Sequence, residues 1–135
     1  MSDMGFTPEL IAATGASINP YRFVKLSGAF QGAAATAITD LVVGVTDGSV
    51  YQFDKTEHAI GGRPITLQPT NTVQVEVGTG GVAAGDFLMP QGSGTGQAVV
   101  ASGATARSSY IALEAGSAGE IIRAWRFGFR GPVFT

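Results

Sequence analysis

Apolar and polar positions along this chain recur mostly with a period of two, the spacing of an extended strand rather than a helix. Val73, Val75 and Val77 alternate with Gln74 and Glu76, which places three valines on one face. Tyr21 to Leu26 reads the same way, with Tyr21, Phe23 and Lys25 on one side and Arg22, Val24 and Leu26 on the other. Shorter β-rich runs are expected at Leu41 to Thr46, Val50 to Phe53, Pro64 to Leu67, Phe87 to Met89, Gln97 to Ala101, Tyr110 to Glu114 and Ile121 to Phe129. Asp47-Gly48, Gly61-Gly62, Gly80-Gly81 and Gly85-Asp86 separate them as turn dipeptides. Many short strands punctuated by glycine describe an all-β sandwich or barrel.

Helix signals are few. Thr7 could cap a two-turn helix from Pro8 to Thr14, with Pro8 at its first position and Gly15 to end it. The alanine-rich run Gly28 to Ala37 reads as strand plus turn, because Phe30 and Thr36 within it, and Ile38 and Thr39 just after it, favour extended backbone. Residues 1–20 hold few strand formers and end in Asn19-Pro20, so they read as an N-terminal arm leading into a single β domain over residues 21–135. A faint echo links Gly32 to Ser49 with Gly96 to Ser117: each has a small-residue strand, a polar turn, an apolar strand and a closing Gly-Ser.

Composition narrows the function. The 135 residues include no cysteine, which excludes disulfide frameworks, thiolate metal sites and thiol nucleophiles. Charged residues make up 13%, against about 25% in an average protein, while glycine contributes 20 positions. A small protein normally disperses itself with surface charge, so this scarcity suggests a chain packed against something else. The net charge of −2 argues against a nucleic-acid backbone as partner, which calls for clustered Lys and Arg. The first five residues carry Asp3 and no basic residue, and no apolar run approaches the length of a membrane span, so neither a signal peptide nor a membrane partner is expected.

Catalytic signals are weak. The single histidine, His58, lies in a polar stretch with no G-x-S-x-G elbow anywhere, and reads as a solvated loop residue. It has no second histidine to share a metal, and the carboxylates lack ligand spacing. Glu114 and Glu120 flank one turn and could converge like a glycosidase pair, but strand-ending polar residues at a solvated hairpin look the same. Gly78 to Ala83 formally fits a dinucleotide fingerprint, yet Ala84-Gly85-Asp86 follows it where a helix would have to open. Gly92 to Gly96 lacks the Lys-Ser/Thr ending of a phosphate loop. No enzymatic activity, cofactor or metal is expected.

The aromatic pattern near the C-terminus is more informative. Trp125, Phe127 and Phe129 alternate with Arg126, Gly128 and Arg130, so a strand here puts aromatics and arginines on opposite faces. One reading is a core strand with a solvated basic face. The other is a subunit interface, where aromatics and Arg are enriched.

The order of four segments carries a family resemblance: Val73 to Gly78, Val82 to Pro90, Gly96 to Ala101 and Ile111 to Arg123. Together with Tyr21 to Leu26 and Leu41 to Thr46, this succession resembles the small head decoration proteins of tailed phages, also called capsid cement or stabilising proteins. The likeness spans roughly residues 20–127. It implies a compact β-tulip-like barrel or related sandwich of short antiparallel strands, oligomeric and most commonly trimeric. It also implies a place on the outer surface of an icosahedral capsid after synthesis in the host cytoplasm, with the major capsid protein of the same virus as partner. Phe6, Leu10 and Ile11 are then candidate apolar anchors of the arm on the capsid, and Trp125, Phe127 and Phe129 candidate oligomer contacts. Other virion or glycan-binding modules, such as a tail tube, head-fibre base or adhesin, are the alternative.

Overall fold

The computed structural model describes residues 10–12, 17–37, 40, 42–48, 59–60, 64–65, 67–92, 96–103 and 108–130. Over these residues the chain is all β, as its period-two pattern predicts. Five strands form a first sheet: β1 (Leu10–Ala12), β3 (Phe23–Gly28), β4 (Gln31–Ala34), β5 (Val42–Val45) and β7 (Pro64–Ile65), in the order β5-β3-β4-β1-β7. A second sheet holds β8 (Thr72–Glu76), β9 (Phe87–Pro90), β10 (Ala98–Val100), β11 (Ser108–Ala112) and β12 (Ile121–Arg130), in the order β10-β9-β11-β12-β8. β2 (Ser17–Ile18) and β6 (Ala59–Ile60) make a small separate ribbon. The two sheets pack as a sandwich and do not close into a barrel.

Side-chain alternation explains the layering. Phe23 and Val24 are neighbours on β3, and both are fully buried, on opposite faces of the first sheet. Phe23 enters the main core between the sheets, with Val42, Val45, Val73, Val75, Val77, Leu88, Tyr110 and Ile122. Its ring stands 5.4 Å from that of Tyr110, a direct contact between the two sheets. Val24 turns away into a second cluster with Leu10, Ile18, Ile65 and Leu67. The first sheet is therefore buried on both sides at this strand.

The second cluster corrects the reading of the N-terminal segment. Leu10–Ala12 is strand rather than helix, pairing in parallel with β4 and antiparallel with β7. A two-turn helix has few internal hydrogen bonds, whereas a strand here is paired on both edges and buries Leu10. Residues 10–12 and 17–18 thus belong to the fold rather than to a leading arm. The remainder of the expected arm up to residue 16, the expected strand at Val50 to Phe53, and His58 lie outside the described residues.

The polypeptide turns between the sheets around Tyr21, whose φ of 61° is left-handed. The Tyr21 amide donates to the Thr46 carbonyl at 3.0 Å, and the Tyr21 carbonyl accepts from the Glu76 amide at 2.9 Å, so one residue ties both sheets. Buried Thr46 completes the joint: its hydroxyl donates to the Asn19 carbonyl at 2.7 Å and accepts from the Arg22 amide at 3.0 Å.

The echo seen in the sequence has a topological counterpart. In the first sheet β3 lies between the two strands that follow it, β4 and β5; in the second, β9 lies between β10 and β11. A closer repeat, which the sequence reading missed, joins Val82–Asp86 to Gly116–Glu120. Val82 and Gly116 exchange backbone hydrogen bonds of 2.9 and 3.0 Å. In each segment the terminal carboxylate accepts from the amide three residues earlier, Asp86 from Ala83 at 2.8 Å and Glu120 from Ser117 at 2.6 Å. Each turn also carries a left-handed glycine, Gly85 at φ 91° and Gly119 at φ 89°. Among the described residues no helix is long and apolar enough to cross a membrane.

Candidate functional site

The longest described strand, β12, lies between β11 and the edge strand β8 of the second sheet and sets up the feature most suited to binding. Ile122 and Ala124 face the core, so their neighbours Ile121, Arg123 and Trp125 face outward. Pairing then lines up Thr72, Trp125, Ile111 and Phe87 in one row across four strands of the outer face. Phe127 meets Phe87 edge to face, with ring centroids 5.2 Å apart and an interplanar angle of 73°. Phe87 in turn packs with Met89, Val99 and Ala101 in a small cluster on this side. The result is an apolar sheet face in which Ile121 and Trp125 are each 45% exposed.

This arrangement corrects the core-strand reading of the aromatic run. The segregation of aromatics from Arg126 holds, but Trp125 and Phe127 lie on the outer face and the small Ala124 fills the core. Inward space is already taken by the valines of β8 and by Tyr110, leaving room only for small or medium side chains on β12. The side chain of Phe129 lies outside the described residues, as does Phe6. Leu10, expected as an exposed anchor, is only 5% exposed and packs with Val24, Ile65 and Leu67. Ile11 is in β1, its side chain outside the described set. Phe87 and Ile111 belong to the outer face and were not singled out from the sequence, although their position beside inward-facing Leu88 and Tyr110 carries the signal.

Charges around the face are mostly matched. Arg123 donates through Nε to Glu114 Oε2 at 3.1 Å, and its backbone amide donates to the same oxygen at 2.8 Å. The backbone amide first, and then the guanidinium, hold the Glu114 carboxyl below its ordinary range. Glu120 is committed to the Ser117 amide, so the two carboxylates that could have formed a hydrolytic pair are each occupied by a structural partner. Burial raises the Tyr110 phenol, with Arg126 opposing it through its charge and a side-chain hydrogen bond. The glycine-rich segment Gly78 to Ala83 leads through a turn into β9 rather than into a helix, so its amides do not converge on a phosphate. Between the two repeated turns lies a shallow open depression lined by Gly81, Val82, Asp86 and Ser117. Among the described residues no three His, Asp or Glu stand together as a metal site would require.

A two-sheet β-sandwich whose aromatic outer face is covered by no strand among the described residues is the class that these features define. Among solved structures this fold is similar to the N base of the head fibre protein gp8.5 of bacteriophage phi29, with a TM-score of 0.56. The likeness covers 87% of this chain and 92% of that one at 16% sequence identity, so it is a likeness of fold. No protein-family model and no curated protein matches the chain.

Proposed function

We propose that this chain is a structural protein of a phage virion, seated on the outside of the head and bound to major capsid subunits, which it braces against separation. The observation that carries this reading is the fold shared over 87% of the chain with a phage head fibre base. The order of strand segments in the sequence points the same way. Its chemistry is adhesion: low surface charge and a broad apolar face suit repeated contacts, and several copies bound together multiply modest affinities through high effective concentration. The chain works as an oligomer, with a trimer favoured, in which Trp125 and Phe127 contribute to contacts between copies. It turns over no substrate and carries no cofactor.

Mass spectrometry of purified virions tests the reading directly, with the chain expected in hundreds of copies per particle. Heads assembled without it should rupture at lower temperature. Absence from purified particles would end the proposal. A second reading, that the chain is the base of a projecting head fibre, is favoured by the neighbour's own description. Electron microscopy of the heads separates the two, since a fibre base leaves a projection and a brace only a low knob.

A further inference from the structure

We propose that β1, β2, β6 and β7 form one strap across the first sheet, which opens as a unit while the sandwich stays folded. β1 and β7 pair antiparallel through Leu10↔Ile65 and Ile11↔Pro64, and β2 and β6 through Ser17↔Ile60 and Ile18↔Ala59. The two ladders join the same two stretches of chain in the same sense, so release of either stretch unpairs the other. Both stretches are tied down at Thr46. Its hydroxyl donates to the Asn19 carbonyl at 2.7 Å just after β2, and the residue forms an antiparallel bridge with Leu67 just after β7. Gln68 Nε2 adds a bond to the Thr46 carbonyl at 3.1 Å.

The buried side chains divide along the same line. In the second cluster Leu10, Ile18 and Ile65 come from the strap, and Val24 and Leu67 supply the rest of its buried residues. The main core is built instead from β3, β5 and the second sheet, with Phe23, Val45, Val75 and Tyr110 among its members. The hold of the strap on the first sheet is short: β1 meets β4 at Ile11↔Gln31 and Ala12↔Gly32, whereas β12 meets β8 over five successive pairs. Opening the strap therefore breaks up the small cluster and leaves the large one intact. A unit with few buried apolar contacts opens at lower cost than the whole domain. Once open, it would bare Val24 and strip β4 of its parallel partner. Closed, it keeps covered an edge able to pair with another strand.

Hydrogen exchange on the full chain, read by mass spectrometry, tests this. The protected amides of β1, β2, β6 and β7 should share one protection factor, about tenfold or more below that of β8 and β12. Leu10→Ala should lower protection about tenfold or more in β6 and β7 as well as in β1 and β2. Ile65→Ala should do the same from the other stretch. Both variants should leave β8 and β12 unchanged, and with them the emission of Trp125, the single tryptophan. Equal protection of strap and second sheet in the unsubstituted chain would overturn the proposal. So would a loss confined to the substituted stretch, which would make the two stretches independent. A matching loss in β8 and β12, or a shifted Trp125 emission, would also overturn it by making strap and sandwich one cooperative unit.

Discussion

Arg22 of the first sheet's lead-in reaches Glu76 on β8 of the second, with Nη2 and Oε2 3.1 Å apart and both side chains largely shielded from solvent. Gln97 donates to the same carboxylate oxygen, so Glu76 gathers donors from two further segments of the chain. Such a pair joins the two sheets alongside the apolar core and the backbone bonds made by Tyr21. Removing one member leaves the other group poorly solvated. Glu76→Leu should therefore cost about 2–3 kcal/mol, measured by chemical denaturation, while preserving the strand content seen by circular dichroism. A change within about 0.5 kcal/mol would show that the pair holds no part of the sandwich together.

The paired turns at Val82–Asp86 and Gly116–Glu120 make a matched prediction. Gly85 and Gly119 both have left-handed φ, and a Cβ at either meets no atom within 4 Å. Backbone strain alone should then decide the cost. Gly85→Ala and Gly119→Ala should each destabilise by about 1 kcal/mol, and by similar amounts. Unequal losses in thermal melts would contradict the equivalence of the two turns.

Gly32 in β4 is a different case. A Cβ there would stand 2.8 Å from Ile65 Cδ1 and 3.0 Å from Val24 Cγ1, inside the second cluster. Gly32→Val should overpack this layer and cost about 1–3 kcal/mol. Gly32→Val combined with Ile65→Val should recover part of the loss, since Ile65 supplies the nearest atom.

Glu114 provides a pH signature. Its folded carboxyl is held below the ordinary range by the Arg123 amide and guanidinium, so this interaction stabilises the fold above the unfolded value and is lost as pH falls through the folded one. A carboxyl titration by NMR should place the Glu114 midpoint below that of an unstructured glutamate. Arg123→Met should move it upward only in part, because the backbone amide remains as a donor.

Trp125 should separate binding from folding. It is 45% exposed, so Trp125→Ala should lower the melting temperature by only a few degrees. Self-association, measured by sedimentation, should weaken in the same variant. A variant that keeps its oligomeric state unchanged would count against the outer face as the contact between copies.

How much of this was legible beforehand varies with the physics involved. The valines of β8 announced a strand through alternation, and the glycine dipeptides announced turns, because both signals are local. The face on which β12 buries itself was not local. Trp125 and Phe127 are large and apolar, and alternation alone could assign them equally to a core. Only the valines of β8 and Tyr110 already filling the interior leave Ala124 as the side chain that fits there. Leu10 shows the same limit in reverse, since an N-terminal proline and a capping threonine favour a helix until β4 and β7 supply ladder partners on both sides.

The all-β class, the alternating strands such as β8 and the placement of the glycine turns were thus determined by the sequence, because alternation and backbone preference act over a few neighbouring residues. Which sheet each strand joins and which face of β12 turns away from the core were decided by tertiary structure. Those outcomes depend on competition for one interior volume and for backbone partners distant along the chain, and no short stretch of residues contains that information.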